Sequence, residues 1–168
     1  IENNKRRIAL LEKMAEEIYR EWFVRFRFPG YQKAQFEKGI PKGWEGRNLS
    51  DIANINPASL KKGADIELID YIDIGAVTTD HKGETTLYSR GEAPGRAKRK
   101  VKHGDTIWSS VRPANRAYSL IFHPSKNLIA STGFAVISPK QIELYPFIYQ
   151  SVTTNSFVDQ MAAVAKGA

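Results

Sequence analysis

Apolar side chains recur at alternating spacings of four and three residues between Asn4 and Trp22. This periodicity predicts an amphipathic helix with one apolar seam. Phe28, Pro29 and Gly30 are expected to end the helix, because proline cannot continue the hydrogen-bond ladder and glycine accepts a left-handed turn. At a rise of about 1.5 Å per residue such a helix is about 40 Å long, more than a small domain can cover. Part of the seam should therefore face another element or another chain, through Ile8, Leu11, Ala15, Ile18 and Trp22.

The rest of the helix surface is charged. Glu2 and Arg6, and likewise Glu16 and Arg20, are acid-before-base pairs four residues apart. Pairs of this kind stabilise an exposed helix face by a few tenths of a kcal/mol each.

Beyond the helix, the pattern changes to short segments separated by turn residues. Residues 31–43 are predicted to be a connector, because Gly39, Pro41 and Gly43 interrupt them. A second region is expected from Trp44 onward, giving segments 1–30, 31–43 and 44–168. LSDIANI is predicted to be a short helix or the start of a strand. Strands are predicted at ELIDYIDIGAV, Thr106–Ser109, Ala117–Phe122 and Asn127–Ile137. One or two helices, interrupted near Tyr145 and Pro146, are predicted at Gln141–Ala165. Strands followed by helices favour an α+β fold.

Almost all of the excess positive charge lies in one segment. The chain has 25 Lys and Arg against 18 Asp and Glu, a net charge of +7. Residues 96–116 hold seven of the basic residues and one acid, whereas the remaining residues hold 18 basic and 17 acidic side chains. A solvated surface is the simplest explanation of a charge run. Positive charge at this density, among turn residues, also predicts binding to a phosphate polyanion such as nucleic acid.

Different basic residues in this segment suit different contacts. Lys98, Arg99, Lys100 and Lys102 suit phosphate contacts, which hold register without carrying sequence information. Arg96 is predicted to be DNA-binding as well. Arg112 and Arg116 flank a turn containing Pro113 and are better candidates for guanine O6 and N7, because a guanidinium donates two bonds at once. Asn115 could bind adenine N6 and N7, although its preference for turns explains it equally well.

Composition excludes several kinds of site. The chain has no cysteine, and His81, His103 and His123 show no metal-ligand spacing. No apolar run reaches membrane-spanning length and IENNKRR is not a signal peptide, so a cytoplasmic protein without membrane contact is expected. The chain lacks phosphate-binding and adenine-methyltransferase motifs.

A hydrolase triad could be built from His103, Asp105 and one of two serines, Ser109 or Ser110. Neither serine lies in a Gly-x-Ser-x-Gly motif, so this alternative has little support from the sequence. Trp44 and Trp108 are predicted to be core residues rather than base-stacking platforms.

Three stretches taken together resemble a known family: LLEKMAEEIYREWFVRFRFPGY followed by GIPKGWE, GRAKRKVKHGDTIWSSVRPANRAYSL, and ASTGFAVI followed by the C-terminal segment and AKGA. The chain is similar to the DNA-specificity (S) subunit of type I restriction-modification systems. The resemblance implies a conserved spacer helix at residues 1–30. It also implies one target recognition domain at residues 44–168, with a mixed, strongly twisted sheet and C-terminal helices.

The resemblance implies a non-catalytic role, namely recognition of double-stranded DNA for partner subunits. A modification subunit would methylate adenine with S-adenosylmethionine and an ATP-driven restriction subunit would cleave, so no cofactor is expected on this chain. A second conserved helix, from the same or another chain, is expected to pair with residues 1–30. The family pattern continues beyond AKGA, so the chain is expected to be a piece of a longer protein that binds its partners weakly alone.

Two further alternatives remain. The chain could be the C-terminal recognition region of a fused single-chain restriction-modification enzyme. It could also be a protein-binding adaptor in which the helix does the binding and the basic segment contacts an acidic protein.

Overall fold

The computed structural model describes residues 2–61, 63–78 and 81–166, without the side chains of His81, Lys82 and Lys166. It divides the chain into two compact units, Ile1–Asn48 and Leu49–Ala168. The segments expected from the sequence, 1–30, 31–43 and 44–168, stay a prediction of how the chain divides by function. In the described chain, every helix is too short or too polar to span a bilayer.

The first unit begins with helix α1, Glu2–Tyr19, which continues into a π-helical turn at Arg20–Val24. The helix therefore ends before Phe28, and the predicted end was wrong by a few residues. Phe26 adopts φ +55°, and the N–H of Arg27 donates to the carbonyl of Glu21 at 2.6 Å. A left-handed residue after the last turn redirects the chain and satisfies a terminal carbonyl. No residue pattern indicated this turn, because glycine usually occupies such a position.

The charged face of α1 forms as predicted. Arg6 pairs with Glu2 at 3.7 Å and Arg20 pairs with Glu16 at 2.6 Å. Arg25 pairs with Glu21 in the π-helical turn. These exposed pairs follow from helical spacing alone, so they confirm the helix without adding much stability.

An aromatic cluster around Trp44 ends the first unit. The rings of Phe23, Phe26 and Phe28 lie 5.6, 5.9 and 5.1 Å from the Trp44 ring. The intervening residues, predicted to be a connector, contain a short hairpin of strands β1, Phe36–Glu37, and β2, Ile40–Pro41. Trp44 therefore packs against other aromatic rings of this unit, but it is 36% exposed, so its prediction as a core residue was wrong.

The second unit contains the remaining strands and helices. They are α2 Leu49–Ile52, β3 Ala53–Ile55, β4 Leu68–Ile72, β5 Val77–Thr78, β6 His81–Lys82, β7 Thr86–Ser89, β8 Ala97–Lys100, β9 Thr106–Ser109, β10 Tyr118–Leu120, β11 Leu128–Ser131, β12 Phe134–Pro139, α3 Tyr145–Thr153 and α4 Asn155–Lys166. Short 3-10 turns occur at Ile74–Ala76, Pro113–Asn115 and Ile142–Leu144.

Two four-stranded sheets organise this unit. One has the order β10-β9-β12-β3 and is antiparallel throughout. The other has the order β7-β4-β11-β8 and is mixed, because β11 runs parallel to β4 and antiparallel to β8. The α+β class and the mixed sheet are thus confirmed. A second sheet was not anticipated.

Buried side chains from both sheets form the main core. Ile72 and Ala130 of the mixed sheet belong to the same cluster as Ile107 and Phe134 of the antiparallel sheet. A second cluster joins the antiparallel sheet to α3 and α4 through Trp108, which is 6% exposed and donates its indole N–H to the Val152 carbonyl at 3.1 Å. Trp108 is a core residue, as predicted.

Several boundaries differ from the sequence-based expectation. ELIDYIDIGAV, predicted as one strand, contains β4 and the 3-10 turn at Ile74–Ala76, and β5 begins at its last residue, Val77. Asn127–Ile137 contains two strands, β11 and β12, which belong to different sheets and are separated by Thr132 and Gly133. The C-terminal helices are interrupted at Thr154, not near Pro146, which lies in the first turn of α3. Proline is tolerated there because its missing N–H would have no partner inside the helix. LSDIANI forms both predicted elements, α2 followed by β3.

Candidate nucleic-acid interface

The lysine-rich part of the basic segment is a β-strand. Strand β8 pairs with β11 on one side, and on the other side Leu60 N–H donates to the Lys98 carbonyl at 2.7 Å while Lys100 N–H donates to Ala58 at 3.2 Å. The strand is therefore held along both edges. A sequence rich in lysine and flanked by turn residues did not indicate a strand, because lysine is depleted in strands and the pairing partners are distant in sequence.

Strand β8 contains a register shift in its pairing with β11. Arg99 lies opposite Ala130 and Ala97 lies opposite Ser131, so Lys98 is the extra residue of a β-bulge. Lys98 and Lys100 are exposed, whereas Arg99 is half-buried. The Nε of Arg99 is buried without a hydrogen-bond partner in the described chain. A buried donor of this kind is costly unless a ligand or water satisfies it.

A cleft of about 510 Å³ opens beside Lys100. Lys100 lines one side of this cleft. The other lining residues come from the segment 57–64 and are a second cation, Lys61, and the small residues Pro57, Ala58, Ser59, Gly63 and Ala64. Lys61 was not among the predicted contact residues, because it lies far from the basic segment in sequence. It extends the basic surface past the edge of β8.

Arg112, Asn115 and Arg116 lie on the turn between β9 and β10, as predicted. Arg112 and Asn115 are exposed and Arg116 is half-buried. Both arginines have left-handed backbones, at φ +51° and +54°. Such a conformation is uncommon for arginine and must be held by its surroundings. Ser109 Oγ contributes by donating to the Val111 carbonyl at 2.8 Å.

The turn between β11 and β12 joins the two halves of the basic segment. Thr132 N–H donates to the Arg96 carbonyl at 2.8 Å. The carbonyl of Gly133 accepts two bonds from Ser110, from its N–H at 3.0 Å and from its Oγ at 2.9 Å. A Cβ on Gly133 would lie 2.0 Å from Cδ1 of Ile74, so a larger residue at this position would have to displace the Ile74 side chain. The chain next to Arg96 and the chain next to Arg112 are therefore tied to the same turn.

The basic residues of this surface are not neutralised by the protein. Within the described residues, no carboxylate forms an ion pair with Arg96, Lys98, Arg99, Lys100, Lys102, Arg112 or Arg116. In the first unit, by contrast, Arg6, Arg20, Arg25, Arg27, Lys42 and Arg47 all pair with glutamates. Among the described residues, all seven cations of the basic segment thus lack an ion pair, unlike these six side chains of the first unit.

Asp73 interacts electrostatically with Arg96 of this surface without forming an ion pair. Burial alone would raise the pKa of Asp73, but hydrogen bonds from the Tyr71 hydroxyl, at 2.8 Å, and from the N–H groups of Gly75 and Ile74, together with the charge of Arg96, hold it below its ordinary value. Asp73 therefore remains ionised at neutral pH.

The four residues considered for a hydrolase triad are engaged elsewhere. Ser109 and Ser110 donate to the carbonyls of Val111 and Gly133, and His103 Nδ1 accepts from the His123 N–H at 3.2 Å. Asp105 accepts from Ser138 Oγ at 2.6 Å and from Lys102 N–H at 2.8 Å. These bonds are structural and lend the hydrolase alternative no support.

The histidines are less scattered than the sequence indicated. The rings of His103 and His123 lie 4.6 Å apart, and His103 also contacts Tyr145. Among the described residues, no group of three or more His, Asp or Glu side chains could hold a metal ion.

Asp105 should give folding stability an unusual dependence on pH. Burial raises its pKa, and the hydrogen bonds from Ser138 and Lys102 reduce this effect without cancelling it. The native state therefore binds the proton more tightly than the unfolded chain, and stability should fall as the pH rises from about 4 through the native pKa. Asp105→Asn keeps an acceptor for the Lys102 N–H and removes the titration.

Urea unfolding of wild type and Asp105→Asn at several pH values from about 4 to 7 tests this expectation. The contributions of the other carboxylates are the same in both proteins, so they cancel in the difference between the two free energies of unfolding. The free energy of unfolding of the variant should rise relative to wild type as the pH increases. A difference that stays constant with pH would show that the native pKa of Asp105 is not raised.

Comparison with known proteins gives matches of one kind. The chain is 26% identical over 124 residues to the type I restriction enzyme HindI specificity subunit of Haemophilus influenzae, which covers 73% of this chain and 27% of that protein. It is 37% identical over 65 residues to the type I restriction enzyme MjaIX specificity subunit of Methanocaldococcus jannaschii, covering 35% of this chain and 15% of that protein. No family model matches the chain.

Solved structures give the same result. The crystal structure of the HsdS subunit from Thermoanaerobacter tengcongensis matches with a TM-score of 0.52 and 27% identity, over 59% of this chain and 26% of that one. A chain from a structure of complex assembly and conformational transition of the type I R-M system matches with a TM-score of 0.53 and 25% identity, over 63% and 27%. The resemblance to specificity subunits is thus confirmed. The chain spans about a quarter or less of the length of these relatives.

Proposed function

We propose that the chain is a piece of a type I specificity subunit whose second unit binds double-stranded DNA sequence-specifically. The observation that carries the proposal is the set of unpaired cations on strand β8 and on the turn between β9 and β10. Nucleic acid binding requires positive side chains that are free to meet phosphates, because affinity comes largely from the counterions that these side chains release.

The geometry supports a division of contacts. Lys98 and Lys100 are exposed on a strand held at both edges, which suits them to fix the register of a duplex through its phosphates. Arg112 lies on a separate protruding turn and can donate two bonds to guanine in the major groove. The hydrogen bonds of the Thr132–Gly133 turn to Arg96 and Ser110 support the proposal that both kinds of contact are made with the same duplex.

The role that follows is recognition without catalysis. The specificity subunit would hold target DNA for a modification subunit that methylates adenine with S-adenosylmethionine, and indirectly for an ATP-driven restriction subunit. Cofactors would then bind to those partners. The exposed seam of α1 supports a helical partner, which would be a second conserved helix of the same or another chain, or the modification subunit.

A salt series tests DNA binding directly. Fluorescence anisotropy with random-sequence duplex DNA should show affinity that falls steeply with salt concentration. In the variant Lys98→Ala/Lys100→Ala, the slope of log K against log salt should decrease by about two, because each lost phosphate contact contributes about 0.9 to the slope. Near physiological salt the affinity should fall about tenfold.

The matched control is Lys5→Ala/Lys13→Ala, which removes the same charge from exposed positions of α1. This control should keep the wild-type slope. An unchanged slope in Lys98→Ala/Lys100→Ala would contradict the proposed contacts. So would an equal decrease in both variants, since a general effect of net charge does not depend on where the lysines lie.

A further inference from the structure

Arg116 differs from the other basic residues of the surface because a distant side chain holds it. Its Nη2 donates to Oδ1 of Asn155 at 2.8 Å, across 39 positions of sequence. Asn155 is the first residue of α4 and is exposed. Arg112 lies on the same turn but makes no side-chain hydrogen bond in the described chain. The two arginines therefore present their guanidinium groups under different constraints.

Helix α4 is itself fixed against the sheet. Phe157 of α4 contacts Trp108 of β9 edge to face, with ring centroids 5.7 Å apart. Val158 is 1% exposed and belongs to the same buried cluster as Trp108. The backbone that carries Asn155 is thus held in place, and a guanidinium bonded to the Asn155 amide loses less further freedom when it meets a ligand than an unbonded one does.

The chemistry of the acceptor also matters. Arginines in the first unit bond to glutamates, for example Arg20 to Glu16, and their charge is neutralised there. Asn155 is neutral, so it orients Arg116 while leaving the full positive charge. A guanidinium carries five N–H donors, and one bond to the amide oxygen leaves enough donors for a two-bond contact with phosphate or guanine.

We propose that Asn155 is a positioning residue of the DNA site, which holds the Arg116 guanidinium ready for contact with the duplex. This inference rests on the proposed function and extends the site to a helix outside the basic segment. It assigns different behaviour to the two arginines: contact through Arg116 depends on α4, and contact through Arg112 does not.

The test uses the full chain and random-sequence duplex DNA in a salt series, with wild type, Asn155→Ala, Asn155→Asp, Arg116→Ala and Arg116→Ala/Asn155→Ala. Asn155→Ala should weaken binding about three- to tenfold, as expected for the loss of one coupled contact. In the Arg116→Ala background the same change should have no further effect. Asn155→Asp keeps the acceptor but neutralises Arg116, so its salt slope should fall by about one, as in Arg116→Ala.

Gln160→Ala is the matched control, because it removes an exposed amide from the same helix, and thermal unfolding verifies that each variant is folded. If Asn155→Ala binds like wild type, or weakens binding equally with and without Arg116, the positioning role is wrong. A wild-type chain without salt-dependent binding would overturn the proposed function and this inference together. Normal wild-type binding with an unaffected Asn155→Ala variant would overturn only the inference.

Discussion

Replacing Leu11 and Ile18 together by lysine is expected to abolish association of α1 with its helical partner while leaving the second unit folded. Both side chains lie on the seam and are exposed, by 62% and 48%. In a helix pair they would be buried, and each lysine would bring a charge into an apolar contact. Two such changes should reduce association about a thousandfold or more, since each costs several kcal/mol when a charge is left unpaired.

Co-purification with the proposed modification subunit is the measurement. The matched control is Ala9→Lys/Leu10→Lys, which adds the same charge to exposed positions of α1 outside the seam. The control should associate like wild type, and thermal unfolding should show that the second unit is unchanged in both variants. Retention of the partner by the Leu11→Lys/Ile18→Lys variant would show that the seam, predicted at Ile8, Leu11, Ala15, Ile18 and Trp22, does not form the interface.

Discrimination between target and random DNA should depend on Arg112 and Arg116. In Arg112→Ala/Arg116→Ala, each lost base contact should cost about 1 to 3 kcal/mol more on the target duplex than on random DNA. The target would first be identified by selection from a pool of random duplexes. Binding of both duplexes by anisotropy then gives the discrimination ratio, which should fall by about a factor of ten for each 1.4 kcal/mol lost.

Lysine replacements distinguish base contacts from phosphate contacts at these positions. Arg112→Lys/Arg116→Lys keeps the charge and removes the planar fork that donates two bonds. This variant should keep the wild-type salt slope but lose discrimination. Because alanine and lysine share the left-handed backbone strain at these positions, their difference reports on the side chain. Equal losses on target and random duplexes would make both arginines phosphate contacts.

Local patterns in the sequence were sufficient for the helix, for the α+β class and for the location of the charge. The seam of α1 follows from a spacing of three and four, and the strand Thr106–Ser109 follows from a short run between turn residues, with the bounds that the structure has. Such features depend on neighbours within a few positions. The end of α1 was missed because Phe26 takes a left-handed conformation without being glycine.

The basic segment was located correctly, but its architecture was not. Nothing local distinguishes Lys98 and Lys100 on a strand from lysines in a loop, because strand β8 forms only by pairing with β11 and with residues 58–60. The connection between Arg96 and the turn that carries Arg112 and Arg116 likewise depends on Thr132 and Gly133. These two residues were predicted to lie inside one continuous strand.

The sequence by itself determined which residue types this protein has available for binding: an apolar seam for a helix, and a concentrated set of cations with few acids among them. Only the tertiary structure decided which of these cations stay unpaired and which are held. Arg116 is held by Asn155, 39 residues away, whereas Arg112 is not. The reason is physical: periodicity and charge density are properties of adjacent residues, but a hydrogen bond between a turn and a returning helix exists only once the sheet and α4 have packed around Trp108.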